Sequence, residues 1–309
     1  MTTLRVDKRA LFESLGYEPH AAQWEVHRST AQIRVLCTGA RFGKTTAAAF
    51  EAVAALLAPS AYTRGWIAAP TYALTEHVFG EVLDVFESLL SHRIKSYVPR
   101  TRTLTVFNLT GGTSVLEAKS CDRPTSLLGA GLDFLVVDEA AQLDRRVWDE
   151  ALSARLLDKR GWALLISTPR GCNWFRSMVK RGERGVPGYE SWCFPSSANP
   201  HLDPTMIEAQ RGLLSPDTFA EQYEAAFVGE LLEPCFVCGG PSSRVSGLVI
   251  VKHGRELPRC VECGMETDTD GKTIVALQAN GVRRLKRIWF PDDGGVDPFV
   301  REVADVSAA

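Results

Sequence analysis

With 309 residues, 45% of them hydrophobic and 23% charged, this chain is long enough to bury one sizeable core and a small appendage. A net charge of −2 excludes a protein coated in basic residues, although cations concentrated in a pore would escape that sum. The longest apolar stretches are near strand length, so no membrane span is expected, and there is neither an internal repeat nor a low-complexity block.

In chain order, the first clear element is the apolar run Ile33-Arg-Val-Leu-Cys37, which reads as a buried strand. It leads into Thr38-Gly-Ala-Arg-Phe-Gly-Lys-Thr45, and the Ala- and Leu-rich segment from Thr45 to Leu57 reads as the following helix. Strand, glycine-rich loop and helix are the parts that hold a polyphosphate. Gly39 and Gly43 permit close backbone approach, Lys44 can reach the β- and γ-phosphates of ATP, and the Thr45 hydroxyl can ligate Mg²⁺. One departure stands out: the pattern G-x-x-x-x-G-K-[ST] begins with Gly where this chain has Thr38.

Downstream, a strand is expected at Gly65–Ala69, a helix from Thr75 to Leu90, and strands at Thr103–Phe107 and Ser114–Glu117. Phe134-Leu-Val-Val137 is a short apolar strand that delivers Asp138 and Glu139 to the carboxyl edge of a sheet. Asp138 suits Mg²⁺, and Glu139 suits the orientation and deprotonation of an attacking water. Trp162–Ile166 is a further buried strand, which places the hydroxyls of Ser167 and Thr168 beside a γ-phosphate. Alternation of strands and helices predicts an α/β fold with a mostly parallel sheet, covered on both faces, and ATP at its carboxyl edge. Residues 201–228 read as a small helical lid, with an amphipathic run from Phe219 to Phe227.

The order of these three parts, with Ser167-Thr-Pro-Arg-Gly-Cys-Asn-Trp-Phe175, resembles the ATPase domain of the large terminase subunit of tailed bacteriophages, the motor that packs DNA into capsids. The resemblance covers about residues 12 to 230 and implies a P-loop NTPase of the ASCE type. It implies that Arg41 is the family's phosphate-loop arginine and that Ser167-Thr168-Pro169 is its coupling motif. In Tyr17-Glu-Pro-His-Ala-Ala-Gln23, it implies that Gln23 reads the adenine edge. Ala68-Ala-Pro-Thr71 is similar to a helicase-like element. The expected catalytic residues are Arg41, Lys44 and Glu139. The expected nucleotide site is Gln23, Gly39, Arg41, Gly43, Lys44, Thr45, Thr46, Asp138, Ser167 and Thr168, with Mg²⁺ on Thr45 and Asp138. The implied partners are double-stranded DNA, copies of the chain in a homo-oligomeric ring (a pentamer by resemblance), a portal protein and a small terminase subunit. The implied location is the host cytoplasm, transiently on the viral procapsid.

Two departures from that family follow. Many relatives carry an Arg before the Gly that precedes the acidic strand, proposed to reach a neighbour's ATP, whereas this chain reads Ser126-Leu-Leu-Gly129. Arg123 is the nearby substitute, and its competing reading is a solvated loop charge. The family's nuclease domain needs acids on several strands to clamp two metals. Only 80 residues follow Gly229, and Asp268, Asp270, Asp292, Asp293 and Asp297 lie in turn-like sequence, so nuclease activity is expected from a separate polypeptide.

The C-terminal part carries a second motif. Cys235-Phe-Val-Cys238 and Cys260-Val-Glu-Cys263, separated by 21 residues, have the spacing of a four-thiolate zinc ribbon whose Zn²⁺ would be structural. Nothing resembles a signal peptide, so Cys37, Cys121, Cys172 and Cys193 are expected as free thiols. Hairpin strands are expected at Arg244–Val251 and Lys272–Leu277, with His253 in a turn, and Arg283-Arg-Leu-Lys-Arg-Ile-Trp289 is either a phosphate-contacting strand or a solvated one. The expected domains are therefore 1–200 (ATPase core), 201–230 (helical lid and linker) and 231–309 (zinc ribbon and tail). Two other functions compete with the packaging motor: a helicase-like translocase or repair ATPase, and a zinc-ribbon adaptor that binds nucleotide without hydrolysing it. A second motor domain does not fit between Asp138 and Cys235, and the intact Lys44, Asp138 and Glu139 oppose a non-hydrolysing role.

Overall fold

The computed structural model describes residues 6–129, 131–171 and 173–228, and the backbone of four strands between 249 and 286. Two compact units result, residues 1–171 with 175–228 and residues 172–174 with 229–309. In the first unit, α1 (Lys8–Ser14) and α2 (Ala21–Arg28) precede β1 (Ile33–Thr38), α3 (Lys44–Leu57), β2 (Tyr62–Ala69) and α4 (Tyr72–Leu89). Then come β3 (Ile94–Val98), β4 (Thr103–Phe107), β5 (Thr113–Ser120), β6 (Phe134–Val137) and β7 (Trp162–Ser167). The unit closes with α5 (Trp174–Glu183), β8 (Tyr189–Phe194), α6 (Pro204–Arg211) and α7 (Pro216–Glu224).

The eight strands form one sheet in the order β3-β4-β5-β2-β6-β7-β1-β8. From β5 to β8 every neighbouring pair is parallel, whereas β3, β4 and β5 pair antiparallel. Burial follows that division. Every residue of β1 and β6 is buried, as expected where helices cover both faces, while β5 alternates along its whole length. α3 packs its Ala-rich surface closely against the sheet, with Ala48, Ala52, Val53 and Leu56 in one core with Leu36, Ile67, Phe79, Phe134 and Leu164. Full burial of each large member stabilises the fold by roughly 1.5–3 kcal/mol.

The expected strands and helices recur with small shifts. α4 begins at Tyr72 rather than Thr75, because the Thr71 side chain caps it by accepting from Leu74 N at 3.3 Å. β3 lacks a sequence signal, since Ile94-Lys-Ser-Tyr-Val98 is half polar and none of its residues is buried. The helices at 204–211 and 216–224 fall within the same unit as the sheet.

The second unit contains an antiparallel sheet of order β10-β9-β11-β12, formed by β9 (Val249–Lys252), β10 (Arg255–Pro258), β11 (Val275–Ala279) and β12 (Val282–Lys286). β9 and β11 overlap the two expected hairpin strands. Cys235, Cys238, Cys260 and Cys263 lie outside the described residues, as do Cys172, His253 and Trp289. Among the described residues no helix is long and apolar enough to cross a membrane, and Cys37, Cys121 and Cys193 are free thiols.

Candidate active site

Three adjacent strands converge on one place. β6, β7 and β1 are parallel neighbours, with Val137 opposite Leu165 and Cys37 opposite Ser167. The chain therefore leaves the same edge of the sheet at Asp138, at Thr168 and at the phosphate-loop sequence. The fold brings together segments more than 100 residues apart because continuous apolar strands must lie side by side to be covered on both faces.

The loop is shaped by two left-handed residues, Arg41 at φ +62° and Gly43 at φ +96°. Gly39 is fixed by proximity, since a Cβ there would collide with Ser196 and with the Tyr223 carbonyl. Close approach thus falls on Gly39, one residue after the position where the standard pattern has Gly, and Thr38 is fully buried as the last residue of β1. Gly43 also opens α3 without any side-chain cap, unlike α2, α4, α6 and α7, whose N-caps all accept a backbone N–H. A 14-residue helix whose first-turn N–H groups lack a capping side chain attracts an anion.

Around this helix start lies a cavity of about 780 Å³, lined by Arg41, Gly43, Lys44, Thr45, Thr46, Glu139 and Thr168. The Lys44 ammonium lies 3.4 Å from Thr168 Oγ1 and 3.5 Å from Glu139 Oε1. Glu139, left-handed at φ +50°, also accepts through Oε2 from Gln142 Nε2 at 3.2 Å and from Ser167 Oγ at 3.4 Å. Asp138 is buried. Its Oδ1 accepts from Glu139 N at 2.9 Å, and its Oδ2 lacks a hydrogen-bond partner, 3.7 Å from His77 Nδ1. Burial, and then the Glu139 charge, push the Asp138 carboxyl up to about 6 despite Lys44. A buried carboxylate oxygen with no partner beside a phosphate loop fits a divalent cation, whose charge would reverse that shift.

Of the expected residues, Gln23, Gly39, Asp138 and Ser167 sit behind the cavity lining. Gln23 is buried, with Oε1 accepting from His20 N at 3.1 Å and Nε2 donating to the Gly43 carbonyl at 3.0 Å. Arg123 is exposed at the start of the short turn Pro124–Leu127. Residues without a sequence signal complete the wall: His77 and Glu81, four apart on α4, Gln142, and Glu221 and Gln222 of α7. The i, i+4 spacing of His77 and Glu81 after Pro70-Thr71 was available as a clue. Burial raises the Glu81 carboxyl above its ordinary value. The α7 pair comes from a distant helix and has no local signature.

The model of the family described as terminase large subunit, T4likevirus-type, N-terminal, matches residues 35–234. The chain belongs to this family. The terminase large subunit of Thermus virus P23-45 is 43% identical over 247 residues, covering 70% of this chain and 50% of that protein. This terminase chain thus spans about half the length of the curated Thermus phage relatives it matches. Among solved structures, the large terminase ATPase domain of Thermus phage P74-26 superposes with a TM-score of 0.65 at 38% identity, covering 73% of this chain and all of that domain. The large terminase of another thermophilic bacteriophage, in complex with ADP, shares the fold, with a TM-score of 0.57 at 15% identity over 86% of this chain and 66% of that one. Membership of the terminase large-subunit family, with its likeness to a large terminase ATPase domain, implies ATPase activity.

Proposed function

We propose that the chain is the ATP-hydrolysing motor subunit of a phage DNA-packaging terminase and drives double-stranded DNA into the procapsid. The observation that carries this reading is the convergence of Lys44, Glu139 and Thr168 from three adjacent parallel strands on one cavity, with Asp138 just behind its lining. Lys44 and Arg41 face the β- and γ-phosphates, and the uncapped start of α3 supplies N–H groups. Thr45 and Asp138 would hold Mg²⁺, which would supply positive charge to offset that on the phosphates. Glu139 orients a water and takes its proton as the water oxygen bonds the γ-phosphorus and the bond to the β-phosphate oxygen breaks. Ser167 and Thr168, hydrogen-bonded to Glu139 and Lys44, sense the change from ATP to ADP.

The same reading gives the chain a homo-oligomeric ring, pentameric by resemblance, in which an arginine, with Arg123 as one candidate, acts on a neighbour's ATP. It makes the portal protein and small terminase subunit its partners in the host cytoplasm and assigns DNA cutting to another polypeptide. Cys235, Cys238, Cys260 and Cys263 would hold one structural Zn²⁺, because the spacing of paired C-x-x-C thiolates suits a closed four-sulfur donor set. Elemental analysis is expected to find one zinc per chain, lost in Cys260→Ser. Zinc-free native protein would refute the ribbon.

ATP hydrolysis measured with and without linear double-stranded DNA tests the motor. Turnover stimulated by DNA and abolished in Glu139→Gln is expected, and undiminished turnover in that variant would remove Glu139 from its role.

A further inference from the structure

Four consecutive carbonyls of the phosphate loop each accept a hydrogen bond from a side chain outside it. Ser196 Oγ donates to Ala40 O at 2.6 Å, and Asn199 Nδ2 donates to Arg41 O at 2.8 Å. His20 Nε2 lies 3.1 Å from Phe42 O, and Gln23 Nε2 donates to Gly43 O at 3.0 Å. A carbonyl only accepts, so His20 carries its proton on Nε2, which leaves Nδ1 to accept from Gln23 N at 3.4 Å. The other ends of these side chains are also held: Asn199 Oδ1 accepts from His201 N at 2.9 Å, and Gln23 Oε1 accepts from His20 N at 3.1 Å. Two of the four come from the start of α2 and two from the turn after β8, so the loop is gripped by segments on either side of it in the chain.

We infer that Ser196, Asn199, His20 and Gln23 are positioning residues that pre-shape the loop for a nucleoside diphosphate or triphosphate. The inference rests on the nucleotide-site reading above. Fixing a carbonyl fixes the plane of its peptide, and therefore the N–H of the next residue. Pinning the Ala40, Arg41, Phe42 and Gly43 carbonyls orients the N–H groups of Arg41, Phe42, Gly43 and Lys44. The grip also holds Arg41 at φ +62°, which a non-glycine residue adopts at a cost. Gln23 is then engaged with the loop backbone and not with the base, and a Cβ on Gly43 would come within 2.7 Å of its Nε2. None of the four contacts involves the base, so their loss weakens adenine and guanine nucleotides alike.

Equilibrium binding of fluorescent ADP and GDP with Mg²⁺ to the full chain tests this, alongside thermal midpoints without nucleotide. The variants are Asn199→Asp, Gln23→Glu and Ser196→Ala. Asn199 is partly exposed and Asn199→Asp keeps its shape, so that variant is informative even where the change at buried Ser196 perturbs folding. Each variant is expected to lose affinity roughly tenfold, the size of one hydrogen bond, with the ADP-to-GDP ratio unchanged and, in Asn199→Asp, the nucleotide-free midpoint unchanged as well. Unchanged affinity overturns the inference, and so does a loss in Asn199→Asp that tracks a fall in its nucleotide-free midpoint. Selective loss of ADP in Gln23→Glu returns Gln23 to base reading and overturns its place in the set. Failure of the native chain to bind either nucleotide sinks the nucleotide-site reading itself, whereas native binding with unaffected variants sinks only the positioning role.

Discussion

Glu51 sits on the buried side of α3 with 1% of its side chain exposed, and two cations and an imidazole close on it. Lys8 Nζ approaches at 2.7 Å, His27 Nδ1 at 2.7 Å and Arg34 Nη1 at 2.5 Å. Burial alone would raise this carboxyl, but Arg34, the His27 hydrogen bond and Lys8 together hold it well below its ordinary 4.5. Burial lowers His27 below 6.5 in spite of Glu51, and Tyr17 Oη lies 3.1 Å from its other nitrogen. The signs agree. The unfolded chain takes up the His27 proton first as pH falls through 6.5, and the Glu51 proton first as pH falls through 4.5. Native stability should therefore fall in two stages below those values, read as urea midpoints from pH 8 down to about pH 2, and a flat profile would remove the cluster from the acid response. Replacing Glu51 with Ala leaves Arg34 buried and unpaired, and an unfolding free energy lower by about 3–5 kcal/mol is expected. Nothing in the sequence hints at this cluster, because the partners of Glu51 lie on three other elements and the helix reads as an Ala-rich span.

At the level of elements, legibility followed burial. β1, β6 and β7 are continuous apolar runs and were readable because a parallel strand covered on both faces has no polar positions to spare. The edge strand beside β1 was not readable: Tyr189-Glu-Ser-Trp-Cys-Phe194 has no buried residue, yet it pairs with β1 along its whole length. The helices α6 and α7 were readable as helices, but the grip of α7 on the loop was not. Ala40 N donates to the Gln222 carbonyl at 2.6 Å, and Gly171 N donates to Glu221 Oε1 at 2.6 Å, so α7 shares hydrogen bonds with both the phosphate loop and the segment after β7. A ligand that orders the loop must then stabilise α7 as well. Hydrogen exchange with and without ADP is expected to show slowed exchange across Pro216–Glu224, with little change in β3 and β4 at the far edge of the sheet. Equal protection of both regions would show a general stabilisation and refute direct transmission to α7.

At the scale of the whole molecule, the proposed ring poses the question of which copy completes which site. Glu139 and Lys44 belong to the cavity of their own chain, 3.5 Å apart, while Arg123 stands exposed in the loop that precedes the acidic strand. A closed ring of identical subunits repeats one heterologous contact, so a residue that acts on a neighbour is missing from every site of an isolated chain. Arg123→Ala and Glu139→Gln should then each be inactive alone for different reasons. The first keeps a complete cis site but offers its neighbour no arginine, and the second offers an arginine but cannot activate water. Mixed in equal amounts before assembly, half of the sites keep Glu139 and half of those face a neighbour with Arg123. About a quarter of native turnover should return. No recovery from two inactive variants would place Arg123 in its own site, and a fully active Arg123→Ala would show that the trans-acting charge comes from elsewhere.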